Sequence, residues 1–135
     1  MKKIYRKIPA YNLQELLVVL VIIGILILIA MPNFEGVINN AKSLEAKQNL
    51  TTIESFQSSY RFMHSTYTKD LDKIDFIAPK TPDQGGNAYF TYEILKANKT
   101  SFTARATAVE DWDGDGIKNV WEINQDKQLV EVTKD

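Results

Sequence analysis

The sequence contains no cysteine and a single histidine, His64. Without cysteine, the chain forms no disulfide bond, no zinc–thiolate centre and no cysteine nucleophile. Any Ser-His-Asp triad would have to use His64, which follows a long helical pattern and is expected to be an ordinary packing or surface residue. The sequence also lacks a phosphate-binding glycine loop and a basic patch interleaved with aromatic residues. These absences argue against an enzyme and give no indication of a nucleic-acid partner.

Basic residues are concentrated at the N-terminus. The formal net charge of the 135-residue chain is −1, yet its first ten residues hold four basic side chains and no acidic one: Lys2, Lys3, Arg6 and Lys7. Removing these four from the total of 16 basic residues leaves 12, against 17 acidic residues, so the remainder carries −5. The length is sufficient for one modest domain.

A long apolar run follows the basic decapeptide. No charged residue lies between Glu15 and Glu35, and residues 16–31 are apolar throughout apart from Gly24. With its flanks the run approaches the roughly 20 residues that span a bilayer, and the basic leader predicts a cytoplasmic N-terminus. A cleaved secretory signal is disfavoured because Leu28 is too large for the small-residue rule of such sites. A plain uncleaved anchor would leave Glu15 unexplained.

Glu15 is an acidic residue just inside the apolar run. A charged side chain near the centre of a spanning helix costs about 2.5–3.5 kcal/mol on insertion scales, and less near an interface. One interpretation is a carboxylate that reaches back to the headgroups. The other is a functional carboxylate paired with a cation at the same depth. Cleavage after Ala10 would create such a cation, the α-amine of Tyr11.

The N-terminal pattern resembles that of type IV prepilins and type II secretion pseudopilins. The family has a glycine followed by FTLIE, and here Ala10 is followed by YNLQE. Gly24 and Pro32 also lie where the family usually has a glycine and a proline. The resemblance implies that a prepilin peptidase cleaves between Ala10 and Tyr11 and methylates the Tyr11 amine. It further implies that Glu15 pairs with the N-terminal amine of a neighbouring subunit as a filament grows.

Apolar periodicity continues beyond the membrane segment. We expect one helix from about residue 11 to residue 62, bent near Pro32. The resemblance implies that the stretch from Gly24 to Pro32 loses helical order in some assembled filaments, which makes Gly24 the other expected bend position. Its second half carries an apolar stripe that we expect to pack on the residues after it: Ile38, Ala41, Leu44, Leu50, Ile53, Phe56 and Tyr60. The expected divisions are a leader at 1–10, a transmembrane or filament-core helix at 11–34, its amphipathic continuation at 35–62, and a globular part at 63–135.

Alternating hydrophobicity predicts three to four short strands near the C-terminus. Residues 64–87 are rich in turn formers and predict a loop with one helical turn near Leu71. The expected inward faces are Phe90, Tyr92 and Ile94, then Phe102, Ala104, Ala106 and Ala108, then Trp121 and Ile123, then a short strand after Leu129. A long helix across a small antiparallel sheet is an α+β architecture, and the pilin resemblance implies the same fold.

An acidic loop precedes the third predicted strand. The sequence DWDGDGIKNVWE, residues 111–122, matches the twelve-residue calcium loop at each specified position. The expected ligands are oxygens, which suit Ca²⁺ better than Zn²⁺, from Asp111, Asp113, Asp115, the Ile117 carbonyl, Asn119 and Glu122.

Two observations limit this interpretation of the acidic loop. The loop joins two predicted strands rather than two helices, and inward-facing Trp121 and Ile123 would turn Glu122 away. The alternative is a solvated turn rich in aspartate and glycine. Similar DGDG loops occur in some type IV pilins, and the major pseudopilin of type II secretion binds calcium, so the resemblance extends to this end of the chain.

The sequence therefore predicts a structural subunit rather than an enzyme. The expected product is a homo-oligomeric helical filament, either a type IV pilus or a type II secretion pseudopilus, stabilised by Ca²⁺. The resemblance implies prepilin peptidase, inner-membrane assembly machinery and minor pilins or pseudopilins as partners. It implies a single-pass precursor in the bacterial inner membrane and then a periplasmic or extracellular filament. The alternative is a monomeric, membrane-anchored calcium-binding module with an uncleaved N-terminus.

Overall fold

The computed structural model describes residues 9–31 and 34–135. The chain divides into two compact units, and the boundary falls between Gly36 and Val37. Two α-helices are followed by two short 3-10 turns and four strands. Their bounds are α1 Leu13–Ala30, α2 Glu35–His64, 3-10 turns Asp72–Ile74 and Pro82–Gln84, β1 Phe90–Ala97, β2 Phe102–Ala108, β3 Val120–Asn124 and β4 Leu129–Thr133.

Helix α1 is apolar on all sides and buries none of its residues within the chain. Its 18 residues extend for roughly 27 Å at 1.5 Å per residue, which is close to the thickness of a hydrocarbon core. By length and composition, α1 is therefore a candidate membrane span. Gly24 lies inside this continuous helix.

In place of the expected single helix from about residue 11 to residue 62, bent near Pro32, the described residues form two helices. Helix α1 ends at Ala30, and Met31 has extended backbone angles, φ −66° and ψ 96°. The reason lies in the next residue of the sequence, because a residue that precedes proline is disfavoured in the helical region. The bend expected at Pro32 lies outside the described residues, as do residues 1–8 of the predicted leader. A second helix, α2, begins at Glu35.

The buried face of α2 differs from the predicted stripe. Leu50 and Ile53 are buried as expected, but the expected core residues Ile38, Ala41, Leu44 and Phe56 are exposed. The observed face consists of Ser43, Ala46, Leu50, Ile53, Glu54 and Gln57. Small residues at its start allow close packing, and Gln57 is buried because both ends of its amide are satisfied. Its Nε2 donates to the Thr68 carbonyl at 2.6 Å, and its Oε1 accepts from the Thr68 N–H at 3.1 Å.

The four strands form one antiparallel sheet in the order β1-β2-β3-β4. The alternating side chains of β1 and β2 that were predicted to face inward are all buried: Phe90, Tyr92, Ile94, Phe102, Ala104, Ala106 and Ala108. They form one hydrophobic core with Ala46, Leu50 and Ile53 of α2. The predicted α+β, pilin-like architecture is therefore confirmed.

The loop between α2 and the sheet contains the helical turn that was predicted near Leu71, at Asp72–Ile74. A second turn at Pro82–Gln84 was not predicted. The loop contributes Tyr67, Ile74 and Phe76 to the core. Glu45 of α2 also accepts hydrogen bonds from the backbone N–H groups of Tyr89 and Phe90, which fixes the start of β1 against the helix.

Candidate functional site

The predicted cleavage site lies just before α1. Ala10 and Tyr11 are exposed, and neither belongs to a helix or strand. Asn12 has extended backbone angles, and α1 begins at Leu13. An exposed, non-helical segment is the conformation in which a peptide bond is accessible to a peptidase.

Glu15 has a structural role that sequence reasoning missed. Its Oε2 accepts a hydrogen bond from the Asn12 backbone N–H at 3.0 Å, the geometry of the return bond in a capping box. A carboxylate in the first turn also interacts favourably with the helix dipole. The signal was present in the sequence, because Asn12 followed three residues later by glutamate is a helix-start pattern.

The acidic loop brings its three aspartates together. Asp111, Asp113 and Asp115 each offer a carboxylate oxygen, and these atoms lie within 4.8 Å of one another. The chain folds back because Gly114 and Gly116 adopt φ of +81° and +88°, a conformation that favours glycine.

Backbone hydrogen bonds hold the loop in this shape. The N–H of Gly116 donates to Asp111 Oδ2 at 2.6 Å, and the N–H of Gly114 donates to Asp111 Oδ1 at 2.7 Å. These bonds, that from Gly116 foremost, lower the pKa of Asp111 below its usual value. Asp113 accepts from the N–H of Asp115, and Asp115 accepts from the N–H of Ile117. Three carboxylates therefore face one another in this turn.

Trp112 anchors the loop to the rest of the domain. Its ring is partly buried against the core and meets Phe90 edge to face, with ring centroids 5.7 Å apart. The Lys42 ammonium lies 4.8 Å from the centroid of the same ring, a cation–π contact from α2. The partly buried Trp112 thus stands between the half-buried Asp111 and the exposed Asp113.

Two further predicted ligands, Ile117 and Asn119, differ in their exposure to solvent. Ile117 is exposed within the loop, next to the three aspartates in sequence. Asn119 is 1% exposed at the base of the loop, where its carbonyl accepts from the Ala108 N–H at 2.8 Å. Its Nδ2 donates to Glu131 Oε1 at 2.7 Å.

Glu122 is not brought to the aspartates. It lies on β3 opposite Arg105 of β2, and its Oε1 accepts from Arg105 Nη2 at 2.6 Å and Nε at 2.8 Å. A strand begins at Val120, so the loop lacks the following helix that carries the twelfth ligand of an EF-hand back to the ion.

The sequence analysis also missed Asp135. Its Oδ2 accepts a hydrogen bond from the Trp112 backbone N–H at 2.8 Å, which brings a fourth carboxylate to the acidic loop. No local pattern identifies this residue, because 23 positions separate it from Trp112. The contact arises from the position of the C-terminal segment beyond β4.

The donor set of the acidic loop fits a hard cation. All its candidate ligands are carboxylate, carbonyl or amide oxygens, the set that Ca²⁺ prefers. An imidazole or thiolate ligand, which zinc would favour, is absent from the loop sequence. The loop contains one lysine, Lys118, and its Nζ donates to the Val109 carbonyl at 2.7 Å.

Comparison with known proteins agrees with the resemblance to type IV pilins. A family model described as "Type IV minor pilin ComP, DNA uptake sequence receptor" matches residues 32–116. The chain is also similar to the type IV major pilin protein PilA of Myxococcus xanthus (strain DK1622), with 38% identity over 79 residues. That alignment covers 58% of this chain and 34% of the relative, so it spans about a third of the relative's length. Because the family model covers more than half of the chain, the chain belongs to the type IV pilin family.

Proposed function

We propose that the chain is a structural subunit of a type IV pilus-like filament. The observation that carries this function is α1, an 18-residue apolar helix with none of its residues buried, in a chain of the pilin family. So much exposed apolar surface requires either a bilayer or other copies of the chain. A filament subunit uses both in turn, first as a single-pass precursor in the inner membrane and then as part of a helical bundle.

Maturation would expose the group with which Glu15 pairs. Cleavage by a prepilin peptidase between Ala10 and Tyr11 would free the Tyr11 amine, which would then be methylated. In the filament, the Glu15 carboxylate would pair with the amine of a neighbouring subunit, a charge pair formed away from water. Minor pilins and inner-membrane assembly proteins would be its partners.

Two related functions, that of a type II secretion pseudopilin and that of a DNA receptor, receive less support. The matching family model and the similar protein are both named as pilins, which favours a pilus over a type II secretion pseudopilus. The family model names a DNA uptake sequence receptor, but residues 11–135 contain 17 acidic and only 12 basic residues. Since DNA binding depends on neutralising phosphates with lysine and arginine, this balance favours the structural role.

Calcium would stabilise the domain that faces outwards. The three clustered aspartates repel one another, and a divalent cation between them would relieve this repulsion. The chain has no disulfide to fasten its C-terminal strands. A bound ion would serve that purpose, with an affinity around the 10⁻⁴–10⁻³ M that is typical of extracellular modules.

Substitution of Glu15 by glutamine separates its two roles. Glutamine keeps an oxygen that can accept the Asn12 N–H but lacks the charge. In the native host we therefore expect Glu15→Gln to abolish filaments in sheared fractions while the precursor accumulates in the membrane. Glu35→Gln, the same change at the exposed start of α2, is the matched control and should leave assembly intact.

Mass determination of the wild-type protein completes this experiment. Maturation predicts a chain that begins at Tyr11 and carries one added methyl group. An intact Met1 terminus would favour the monomeric anchor if, in addition, Glu15→Gln and the wild type did not differ in membrane level or in filament yield. Filaments of Glu15→Gln at wild-type levels, built from cleaved chains, would limit Glu15 to helix capping.

A further inference from the structure

Phe62, near the C-terminal end of α2, is the most exposed large apolar side chain among the described residues. It is 92% exposed, and it borders an open cleft together with Ser58, Arg61, Ser65 and Tyr67. The hydrophobic core of the domain does not include it. A single exposed ring is common on protein surfaces, so a role in binding requires a complementary site.

An apolar pocket of about 200 Å³ lies beside the acidic loop. Its apolar walls include Pro82, Ala88, Tyr89, Val109 and Trp112. Tyr89 is 47% exposed, so one aromatic wall is open to an incoming group. Sites for drug-sized ligands usually measure roughly 300–1,000 Å³, and this smaller pocket is therefore suited to a single side chain.

The exposed ring and the pocket lie towards opposite ends of α2. The Lys42 ammonium lies 4.8 Å from the ring centroid of Trp112 and 5.7 Å from that of Tyr89, which places the pocket beside the early part of the helix. Phe62 follows Lys42 by 20 positions in the same continuous helix. This spacing corresponds to roughly 30 Å along the axis, so Phe62 does not reach the pocket of its own chain.

The surface beside Phe62 is basic. Arg61 Nε donates to the Lys99 carbonyl at 3.2 Å, and the guanidinium lies 5.2 Å from the Tyr67 ring centroid. These contacts position the side chain but leave its charge without a carboxylate partner, because the one salt bridge of the described residues joins Arg105 to Glu122. Lys99 adds a second positive charge at this end of the domain.

The edge of the pocket is acidic. Glu110 lines it, takes part in no salt bridge within the described part of the chain, and is followed by Asp111 and Asp113. The two lysines nearby already have contacts, Lys42 with the aromatic walls and Lys118 with a backbone carbonyl. Glu110 precedes the twelve-residue calcium motif, so its charge remains available whether or not the loop holds an ion.

We propose that Phe62 of one copy inserts between Tyr89 and Trp112 of the next copy, with Arg61 facing Glu110. This inference rests on the proposed filament function and names a contact between outer domains. The ring and the pocket are different surfaces of one domain, so the contact is heterologous and its repetition extends a row of copies. Aromatic packing would supply the buried area, and the charge pair would fix the orientation.

Alanine substitution in the native host gives the first test. We expect Phe62→Ala to lower the yield of sheared filaments about tenfold, as loss of a central aromatic anchor does, with wild-type levels of precursor in the membrane. Ile77→Ala is the matched control, because Ile77 is 90% exposed and does not line the pocket. Wild-type yield for Phe62→Ala, or an equal loss for Ile77→Ala, would overturn the inference. A fall in precursor level would assign Phe62 to folding and count against it.

Chemical cross-linking gives the second test, because the chain has no cysteine of its own. Ser58→Cys places a thiol beside Phe62, and Asn87→Cys places one at the pocket. A short bismaleimide applied to filaments of the double variant should give a ladder of covalent multimers on a denaturing gel. Ser58 lies roughly 24 Å beyond Lys42 along α2, so the linker joins different copies. Each single variant should give dimers at most.

The outcomes separate this contact from the filament function. Filaments of the double variant that give no ladder would overturn the contact and leave the proposed function intact. Absence of filaments from the wild type in its native host would contradict the proposed function itself. If the double variant alone does not assemble, the yields of Phe62→Ala and Ile77→Ala decide.

Discussion

Helix α1 and the unit that begins at Val37 obtain their burial in different ways. None of the residues of α1 is buried within the chain, although nearly all of them are apolar. In the second unit, Phe90, Phe102, Leu50 and Ile53 are almost completely removed from solvent by the chain itself. One region therefore carries its own core, whereas the other depends on lipid or on further chains. This division is what a subunit needs if it is to leave a membrane and join a filament without refolding its outer domain.

The largest predicted effect follows from removing the first region. A chain that lacks residues 1–36 keeps the whole hydrophobic core, so we expect it to be soluble, monomeric and cooperatively folded. Size-exclusion chromatography and thermal unfolding by circular dichroism would measure this. The full-length chain, which should require detergent, is the comparison. Aggregation or a non-cooperative melt of the truncated chain would mean that the two regions are not independent.

The second prediction concerns two phenylalanines within the independent unit. Phe102 is 1% exposed and Phe62 is 92% exposed. We expect Phe102→Ala to lower the free energy of unfolding by about 3–5 kcal/mol, because it removes a buried ring and leaves a cavity. Phe62→Ala makes the same chemical change at an exposed site and should have little effect on unfolding.

Urea unfolding of the wild type, Phe102→Ala and Phe62→Ala at neutral pH measures the difference in stability between the two variants. Similar losses for Phe102→Ala and Phe62→Ala would contradict the burial described for β2. A loss confined to filament yield in Phe62→Ala would instead place that exposed ring at a contact between subunits.

The sheet could be predicted because each strand carries its own signal. Alternation along β1 and β2 distinguishes the inward residues without any knowledge of their neighbours. The buried face of α2 was predicted less accurately than the sheet. Ser43 and Gln57 look like surface residues in the sequence, and Gln57 is buried only because Thr68, eleven positions later, satisfies both ends of its amide.

The residues in and around the acidic loop also differ in how well the sequence predicted their placement. The cluster of Asp111, Asp113 and Asp115 was predictable because all three lie within five residues and two glycines allow the turn. Glu122 and Asp135 depend on which strands are neighbours. Glu122 pairs with Arg105 of β2, and the path of the chain after β4 brings Asp135 to Trp112. A motif encodes short-range geometry, whereas these two contacts require the sheet order.

The smallest predicted effect concerns Tyr92, which links α2 to the sheet. Asn49 Nδ2 donates to its hydroxyl oxygen at 2.8 Å, and the hydroxyl donates to Glu45 at 3.4 Å. Burial is the main cause that raises the pKa of Tyr92 above its usual value of about 10. A raised pKa in the folded state means that the contribution to stability is complete below about pH 10 and is lost as the pH rises further.

Tyr92→Phe should reveal this dependence as a difference between two proteins. At neutral pH the variant loses the hydroxyl bonds, so we expect its free energy of unfolding to fall by about 1 kcal/mol. Above about pH 10 the Tyr92 phenol ionises more easily in the unfolded chain than in the folded one, which destabilises the wild type but not the variant. The difference in the free energy of unfolding between the two proteins should therefore shrink. Urea unfolding of both proteins at neutral pH and above pH 10 measures it. A constant difference would mean that the phenol ionises equally easily in the folded and unfolded chains, and thus that the junction between α2 and β1 admits water.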